Sequence, residues 1–462
     1  MRTSVRMASG MPWPASNRPI TRMASVFVGS EKECAGVTPR EYPACEGSPA
    51  RMTTYSVTAP SGCAARARPT MDGMRISANP LRGQQFPAVL LLLAAGLGLL
   101  LANLPTHDAL AALLDVHIAV PGTALDLSIA HWVSDGLLAV FFLVVAIELR
   151  HELTHGELDS PRKAVQPAIA ATGGVLVPIA VYLLIAGGDS VTAPGWPIPT
   201  ATDIAFALGV LAMFGKGLPS RVRVFLLALA ILDDIIGIVF IAVLFAVDVQ
   251  WLLFGLAIVG VAVFWALSRL LHAKGHPLIA VAMVLVGVVT WGLVASSGIH
   301  ATIAGVLLGL VMAPVPAERT RHALEPTVNG AILPLFAFVA AFVVIPAVSI
   351  TQLSPAFWAI VVALPVGKII GISLFGWIAM RIRPKGSDPA LPFADILSAG
   401  ALGGIGFTVS LLLANLAFAE DGGIRDQAIL GVLVGSLIAL VLSGIIVSLR
   451  ARWYRRLSSA AS

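Results

Sequence analysis

Asp233 and Asp234 are adjacent carboxylates near the centre of the apolar run from Val222 to Phe245. As a helix that run would span about 36 Å, enough to cross a bilayer. A charged Asp at that depth costs at least about 2.5 kcal/mol on insertion scales, so the pair is expected to bind a charge, most simply a proton or a metal cation. Two more ionisable side chains lie deep in apolar runs, Asp203 and Lys368. Neighbours on a helix diverge by about 100°, so Asp233 and Asp234 must face different surroundings. One can pair with a cation on another helix while the other faces a water-filled cavity. Lys368, in Leu364-Pro365-Val366-Gly367-Lys368, is the deep base available. A lone ammonium in hydrocarbon loses its proton, whereas one paired with a carboxylate stays charged and releases a proton when the pair breaks.

The chemistry implied is competition. Protons occupy the carboxylate pair at low pH, and their loss leaves hard oxygen ligands suited to a small cation such as Na+ or Li+. Alternating access would convert that competition into exchange. Thr202 and the exposed carbonyls of a broken helix would complete the coordination, with Asp203 offsetting positive half-helix ends and Lys368 negative ones. Plainer readings stand beside these. Asp203 near a helix start also fits a simple cap, and Lys368 fits a structural counter-ion. Asp135, next to Ser134 in an apolar run, is a candidate for lining the ion path. His300, in Gly298-Ile299-His300-Ala301-Thr302, reads as a ligand or as a packing histidine. Glu148-Leu149-Arg150-His151-Glu152, followed by His155 and Glu157, interleaves carboxylates and imidazoles at the end of an apolar run. That is the make-up of a pH sensor, or of a solvated helix end.

The elements that must position these residues are membrane helices. Of 462 residues, 57% are hydrophobic and 12% charged, with a mean hydropathy of +0.90, too apolar for a soluble domain of this size. Twelve candidate spans lie near 86–104, 129–149, 164–186, 198–215, 222–245, 251–271, 277–294, 298–313, 326–346, 355–380, 395–418 and 427–449. Basic residues concentrate in alternate connections: Arg82; Arg150, Arg162 and Lys163; Lys216, Arg221 and Arg223; Arg269 and Lys274; Arg319 and Arg321; Arg381, Arg383 and Lys385; Arg450, Arg452, Arg455 and Arg456. The opposite side has Arg425, so the positive-inside rule puts both termini in the cytoplasm. This distribution gives the net charge of +5 a topological meaning and no nucleic-acid partner.

The fourth span opens with Pro199-Thr200-Ala201-Thr202-Asp203, and the eleventh carries Gly400, Gly403, Gly404 and Gly406. Two interrupted spans, one in each half, point to a transporter site built from discontinuous helices. Val116 to Val120, Pro121-Gly122 and Ala124 to Leu127 alternate around a turn and predict a small outer β-hairpin. Residues 1–80 read as a disordered tail, with Met74-Arg75-Ile76 a plausible alternative beginning, before the helical domain 81–456 and a short end at 457–462. Cys34, Cys45 and Cys63 all fall in that tail and suggest neither a disulfide framework nor a zinc site. No resident cofactor is implied, since Na+, Li+ and H+ are the transported ions.

Ala201-Thr202-Asp203-Ile204-Ala205-Phe206-Ala207-Leu208-Gly209-Val210 and Ala230-Ile231-Leu232-Asp233-Asp234 resemble the signatures of NhaA-type Na+/H+ antiporters. So do Gly367-Lys368 with Gly371-Ile372-Ser373-Leu374-Phe375, and Gly403-Gly404-Ile405-Gly406-Phe407-Thr408, within a likeness running from about residue 84 to the C-terminus. The resemblance implies an all-α polytopic protein of twelve transmembrane helices with inverted repeats, in which broken spans four and eleven cross at mid-membrane. It implies ion binding and proton carriage by Asp234 and Asp233, with Lys368 bridging Asp233 in the proton-loaded state. It also implies electrogenic exchange activated at alkaline pH through a cytoplasmic cluster containing Glu148 and Glu152. A homodimer held partly through the 116–127 hairpin and a bacterial inner-membrane location follow from the same likeness. The chain departs from the familiar pattern at His151, where Arg is usual, and at Ser296, where Lys is usual. A Na+-coupled symporter of similar architecture is the alternative, but no basic or aromatic cluster for an organic anion is evident. An intramembrane aspartyl protease needs its two Asp on separate helices in other contexts, so it is discounted.

Overall fold

Six of the helices begin where proline stops a helix from extending backwards. Proline stands at or just before the starts Pro161, Ser220, Pro277, Pro314, Pro355 and Phe393, where its missing N–H is no loss. The computed structural model describes residues 85–119, 126–156, 158, 160–382 and 391–460. Its helices are α1 (Phe86–Ala102), α2 (His107–Leu114), α3 (Ile129–His155), α4 (Pro161–Ala186), α5 (Ile204–Phe214), α6 (Ser220–Leu244) and α7 (Trp251–Lys274). They continue with α8 (Pro277–Ala295), α9 (Thr302–Val311), α10 (Pro314–Ala340), α11 (Pro355–Arg381), α12 (Phe393–Gly403), α13 (Thr408–Ala417) and α14 (Gly422–Ala460). The 1–80 tail with its cysteines, the hairpin tip 120–125, Glu157, Arg82, Arg383 and Lys385 lie outside the described residues.

Among the described residues, eight helices are long and apolar enough to cross a membrane, or up to eleven if each bent pair is one span. The sequence reading of twelve differs at the run 298–313, whose helix is only the ten residues of α9. Gly298, at φ +83, turns the chain there before the helix begins, a conformation that an L side chain resists. The run 326–346 differs too, because α10 starts twelve residues earlier, at Pro314, in a polar stretch.

Three helix pairs are bent at a break: α1 with α2 by 115°, the 3₁₀ segment Ala193–Thr200 with α5 by 43°, and α12 with α13 by 51°. The last two occupy the apolar runs 198–215 and 395–418. The order helix, broken pair, helix therefore occurs twice, as α4 to α6 and as α11 to α14. The hairpin has strands β1 (His117–Ala119) and β2 (Asp126–Ser128), antiparallel, with His117 opposite Ser128 and Ala119 opposite Asp126.

Lipid is as apolar as leucine, so close packing holds such helices together. α4 lies along α11, and they meet where neither has a side chain: a Cβ on Gly371 would sit within 2.1 Å of the Gly173 carbonyl oxygen, and one on Gly173 within 2.4 Å of the Gly371 oxygen. That contact brings the middle of α11, and with it Lys368, against the same bundle as α6. A π-helical turn over Ala363–Gly367, with Pro365 inside it, immediately precedes Lys368.

Candidate functional site

The two breaks touch. The Asp203 N–H donates to the Ile405 carbonyl at 2.7 Å, the Ser410 hydroxyl to the Ile198 carbonyl at 2.7 Å, and the Thr202 hydroxyl reaches the Gly403 carbonyl at 2.8 Å. Interrupting each helix frees backbone groups that need partners in a dry interior, and each break supplies partners for the other.

Asp203 caps α5 by accepting from the Phe206 N–H at 3.2 Å through Oδ1. Its Oδ2 crosses to the other break, accepting from the Thr408 N–H at 3.1 Å and the Thr408 hydroxyl at 2.8 Å. One buried carboxylate, 5% exposed, thus faces the N-termini of both α5 and α13, where helix dipoles leave partial positive charge.

Lys368 serves the opposite polarity. Its Nζ donates to Asp233 Oδ2 at 2.6 Å, to Thr202 Oγ1 at 3.0 Å and to the Thr200 carbonyl, which ends the 3₁₀ segment. An ammonium has three donors, and all three are used. The side chains of Lys368 and Asp233 are both 0% exposed. Thr202 Oγ1 also lies 2.7 Å from Asp233 Oδ2, so Asp233, Thr202 and Lys368 form one closed cluster at the crossing. Asp233 Oδ1 is buried with no hydrogen-bond partner among the described residues.

Asp234, the next residue on α6, turns away from this cluster. It lines a cavity of about 20 Å³ with Val145, Glu148, Leu149, Ile204 and Ile231, space for about one water molecule. The 100° between successive helix positions thus separates the two carboxylates, one against an ammonium and the other against a cavity toward α3.

Glu148 closes that cavity from α3, and Glu152 follows one turn further along the same face. His151 stacks on His155 with ring centroids 5.9 Å apart. Arg321, Glu325, Glu152 and His151 are the charges that act on Glu148. Sequence reasoning missed the α10 members of this group: Arg321 pairs with Glu318 at 2.7 Å and with Glu325 at 3.8 Å, and His322 reaches Glu318 at 2.8 Å. The signal available was a polar run directly after an apolar one.

Asp135 and His300 do not join the crossing. Asp135 lies in a π-helical turn of α3, Trp132–Leu137, about 20 Å along the helix from Glu148. His300 Nε2 stands 3.6 Å from Asp135 Oδ1, the Ser134 hydroxyl donates to the same oxygen at 3.2 Å, and both residues line a separate cavity of about 440 Å³. Thr408 was the other partner not assigned in advance, although it stands in the quoted glycine-rich motif.

A model of the family described as Na+/H+ antiporter 1 matches residues 78–447. A Na+/H+ antiporter NhaA 2 from Clavibacter michiganensis subsp. michiganensis (strain NCPPB 382) is 51% identical over 388 residues, covering 82% of this chain and 94% of the relative. A Na+/H+ antiporter NhaA from Tropheryma whipplei (strain Twist) is 46% identical over 371 residues, covering 79% and 93%. One from Yersinia enterocolitica serotype O:8 / biotype 1B is 41% identical over 372 residues, covering 78% and 93%.

Proposed function

The chain belongs to the Na+/H+ antiporter 1 family, a family of secondary transporters rather than enzymes, and we propose that it exports Na+ or Li+ in exchange for protons. Asp234 and Asp233 bind cation and protons in turn, at a site exposed alternately to the two sides of a bacterial inner membrane. The observation that carries the reading is the closed cluster of Asp233, Thr202 and Lys368 at two touching helix breaks, with Asp234 one residue away facing a cavity.

In this arrangement the Lys368 ammonium stands where a small cation would: it is held by a carboxylate, a hydroxyl and a main-chain carbonyl, the hard oxygens Na+ and Li+ prefer. Cation entry must separate Lys368 from Asp233, because cation and ammonium would use the same oxygens. Binding one monovalent cation while losing two protons makes the cycle electrogenic. Asp203 holds the two half-helices together throughout, because its three donors are the ends and side chain of those half-helices themselves.

Regulation by pH belongs to Glu148, His151 and Glu152 with the α10 charges, since Glu148 shares the cavity of Asp234. The full count of twelve spans, cytoplasmic termini, inverted repeats and a homodimer through the 116–127 hairpin complete the reading. α9, ten residues long, lies in the eighth of those runs, and β1 is solvent-exposed, as a pairing edge would be.

The test is pH-dye dequenching in inverted vesicles acidified by respiration, with Na+, Li+ or K+ added from about pH 6.5 to 9. Cation-driven proton efflux that rises with pH and vanishes in Asp234→Asn supports exchange at this site. No efflux with any cation, in folded and inserted protein, overturns it and brings Na+-coupled symport forward.

A further inference from the structure

At the arginine-rich end of α14, two ties hold the far ends of the half-helices whose near ends form the cluster. Asp395, in the first turn of α12, is 1% exposed with its side chain fully buried. Arg450 Nε donates to its Oδ1 at 2.6 Å and the Tyr454 hydroxyl to its Oδ2 at 2.6 Å. The Arg450 guanidinium lies over the rings of Trp453 and Tyr454, at 4.0 and 4.6 Å, and donates to the Tyr454 oxygen at 3.3 Å. One turn further, Arg455 Nη1 donates to the Lys216 carbonyl, just past the end of α5.

α12 and α5 are eleven residues each, about 16 Å long. The opposite end of α12 is Gly403, whose carbonyl receives Thr202. The opposite end of α5 is Asp203, which caps it. A half-helix that ends at a break has no continuation there to fix its position along its axis. The bonds between the breaks tie the near ends to each other, and the far ends tie both half-helices to α14. The same α14 also backs the π-helical turn before Lys368, since a Cβ on Gly435 would stand 3.2 Å from Leu364.

We propose that Arg450, Tyr454 and Arg455 are positioning residues for cation binding: with Asp395 and the Lys216 carbonyl they form a bracket that sets the axial height of both half-helices at the crossing. The bracket deepens the antiport reading and rests on it. A buried ion pair is weak evidence for stability, since well-packed apolar residues of similar size often do as well. What it adds is direction, because α12 cannot slide along α14 without breaking two short hydrogen bonds to one carboxylate. Displacement of Gly403 at the other end would spread the oxygens around Thr202 and weaken ground-state binding of the cation.

The experiment is Na+- and Li+-driven proton movement by the full chain in proteoliposomes, comparing wild type, Asp395→Asn and the milder Tyr454→Phe. The expected result for Asp395→Asn is a KM for Na+ raised about 5- to 20-fold with maximal rate within about twofold. Tyr454→Phe, which keeps the ring under Arg450, raises KM about two- to fivefold, and both variants change the ratio of KM for Na+ to KM for Li+. KM values unmoved in both variants overturn the bracket, as does a loss of maximal rate with KM and the ion ratio unchanged, the mark of a merely structural pair. Should Asp395→Asn fail to fold, Tyr454→Phe decides alone. Wild-type protein inactive with every alkali cation is a different result, which overturns the antiport reading itself.

Discussion

Replacing Lys368 by Met keeps a similar volume and removes the ammonium. In the wild type that ammonium satisfies Asp233 Oδ2, Thr202 Oγ1 and the Thr200 carbonyl, and neither Lys368 nor Asp233 has any side-chain exposure. Asp233 would be left with the Thr202 hydroxyl as its one hydrogen-bond partner, since Oδ1 already has none. The carbonyl of Thr200, a buried residue, would lose a donor. Breaking a buried pair from one side destabilises by about 3–5 kcal/mol, because the surviving charge is uncompensated. Replacing both partners, Lys368→Met with Asp233→Asn, removes that charge, and the Asn amide can still donate to Thr202. The double variant should lie within about 1–2 kcal/mol of wild type, giving a coupling of at least about 2 kcal/mol. Unfolding of the purified protein in detergent, by heat and by denaturant at neutral pH, reads both quantities. A Lys368→Met variant within about 1 kcal/mol of wild type, or additive single effects, would refute the claim that the two groups form one desolvated unit.

Asp203→Asn should destabilise by about 2–4 kcal/mol in the same assay, because an amide cannot accept at both breaks and one helix N-terminus is left facing an N–H. Thr408→Val, which loses only a hydroxyl, should cost about 1 kcal/mol, and equal effects would show that the charge is irrelevant. Gly371→Ala should destabilise by about 3 kcal/mol or more and lower the folded yield, since its Cβ would lie 2.1 Å from the Gly173 oxygen. Gly96→Ala, with nothing within 4 Å, should be neutral or stabilise by up to about 1 kcal/mol.

The deep charges were legible because the apolar background made them conspicuous. Asp233, Asp234 and Lys368 interrupt runs of aliphatic residues, and a charge in such a run needs a partner. The broken helices were legible at Pro199 and at Gly403 to Gly406 for the same local reason. What the sequence hid depends on tertiary packing or on polar helices. The π-helical turns at Trp132–Leu137, Val328–Ile332 and Ala363–Gly367 leave no periodic mark in so apolar a chain. The first turns of α10 are helical yet polar, so a reading keyed to hydropathy starts that helix late, takes Arg321 only as a topological charge, and misses that it and Glu325 act on Glu148. Asp395 carries no mark of its role in the sequence, because its partners Arg450 and Tyr454 are more than fifty residues away. Asp135 and His300 carried plausible chemistry separately, and only the fold shows that they meet each other and not Asp233.

The central claim is that protons and a small cation compete for the carboxylates at the crossing, and calorimetric titration of Li+ and of Na+ into the purified protein tests it directly. At about pH 6.5, 7.5 and 8.5 the account predicts an apparent Kd that falls about tenfold per pH unit for each proton displaced. It also predicts that binding disappears in Asp234→Asn. Affinity that does not change with pH, or binding that survives in that variant, would contradict it.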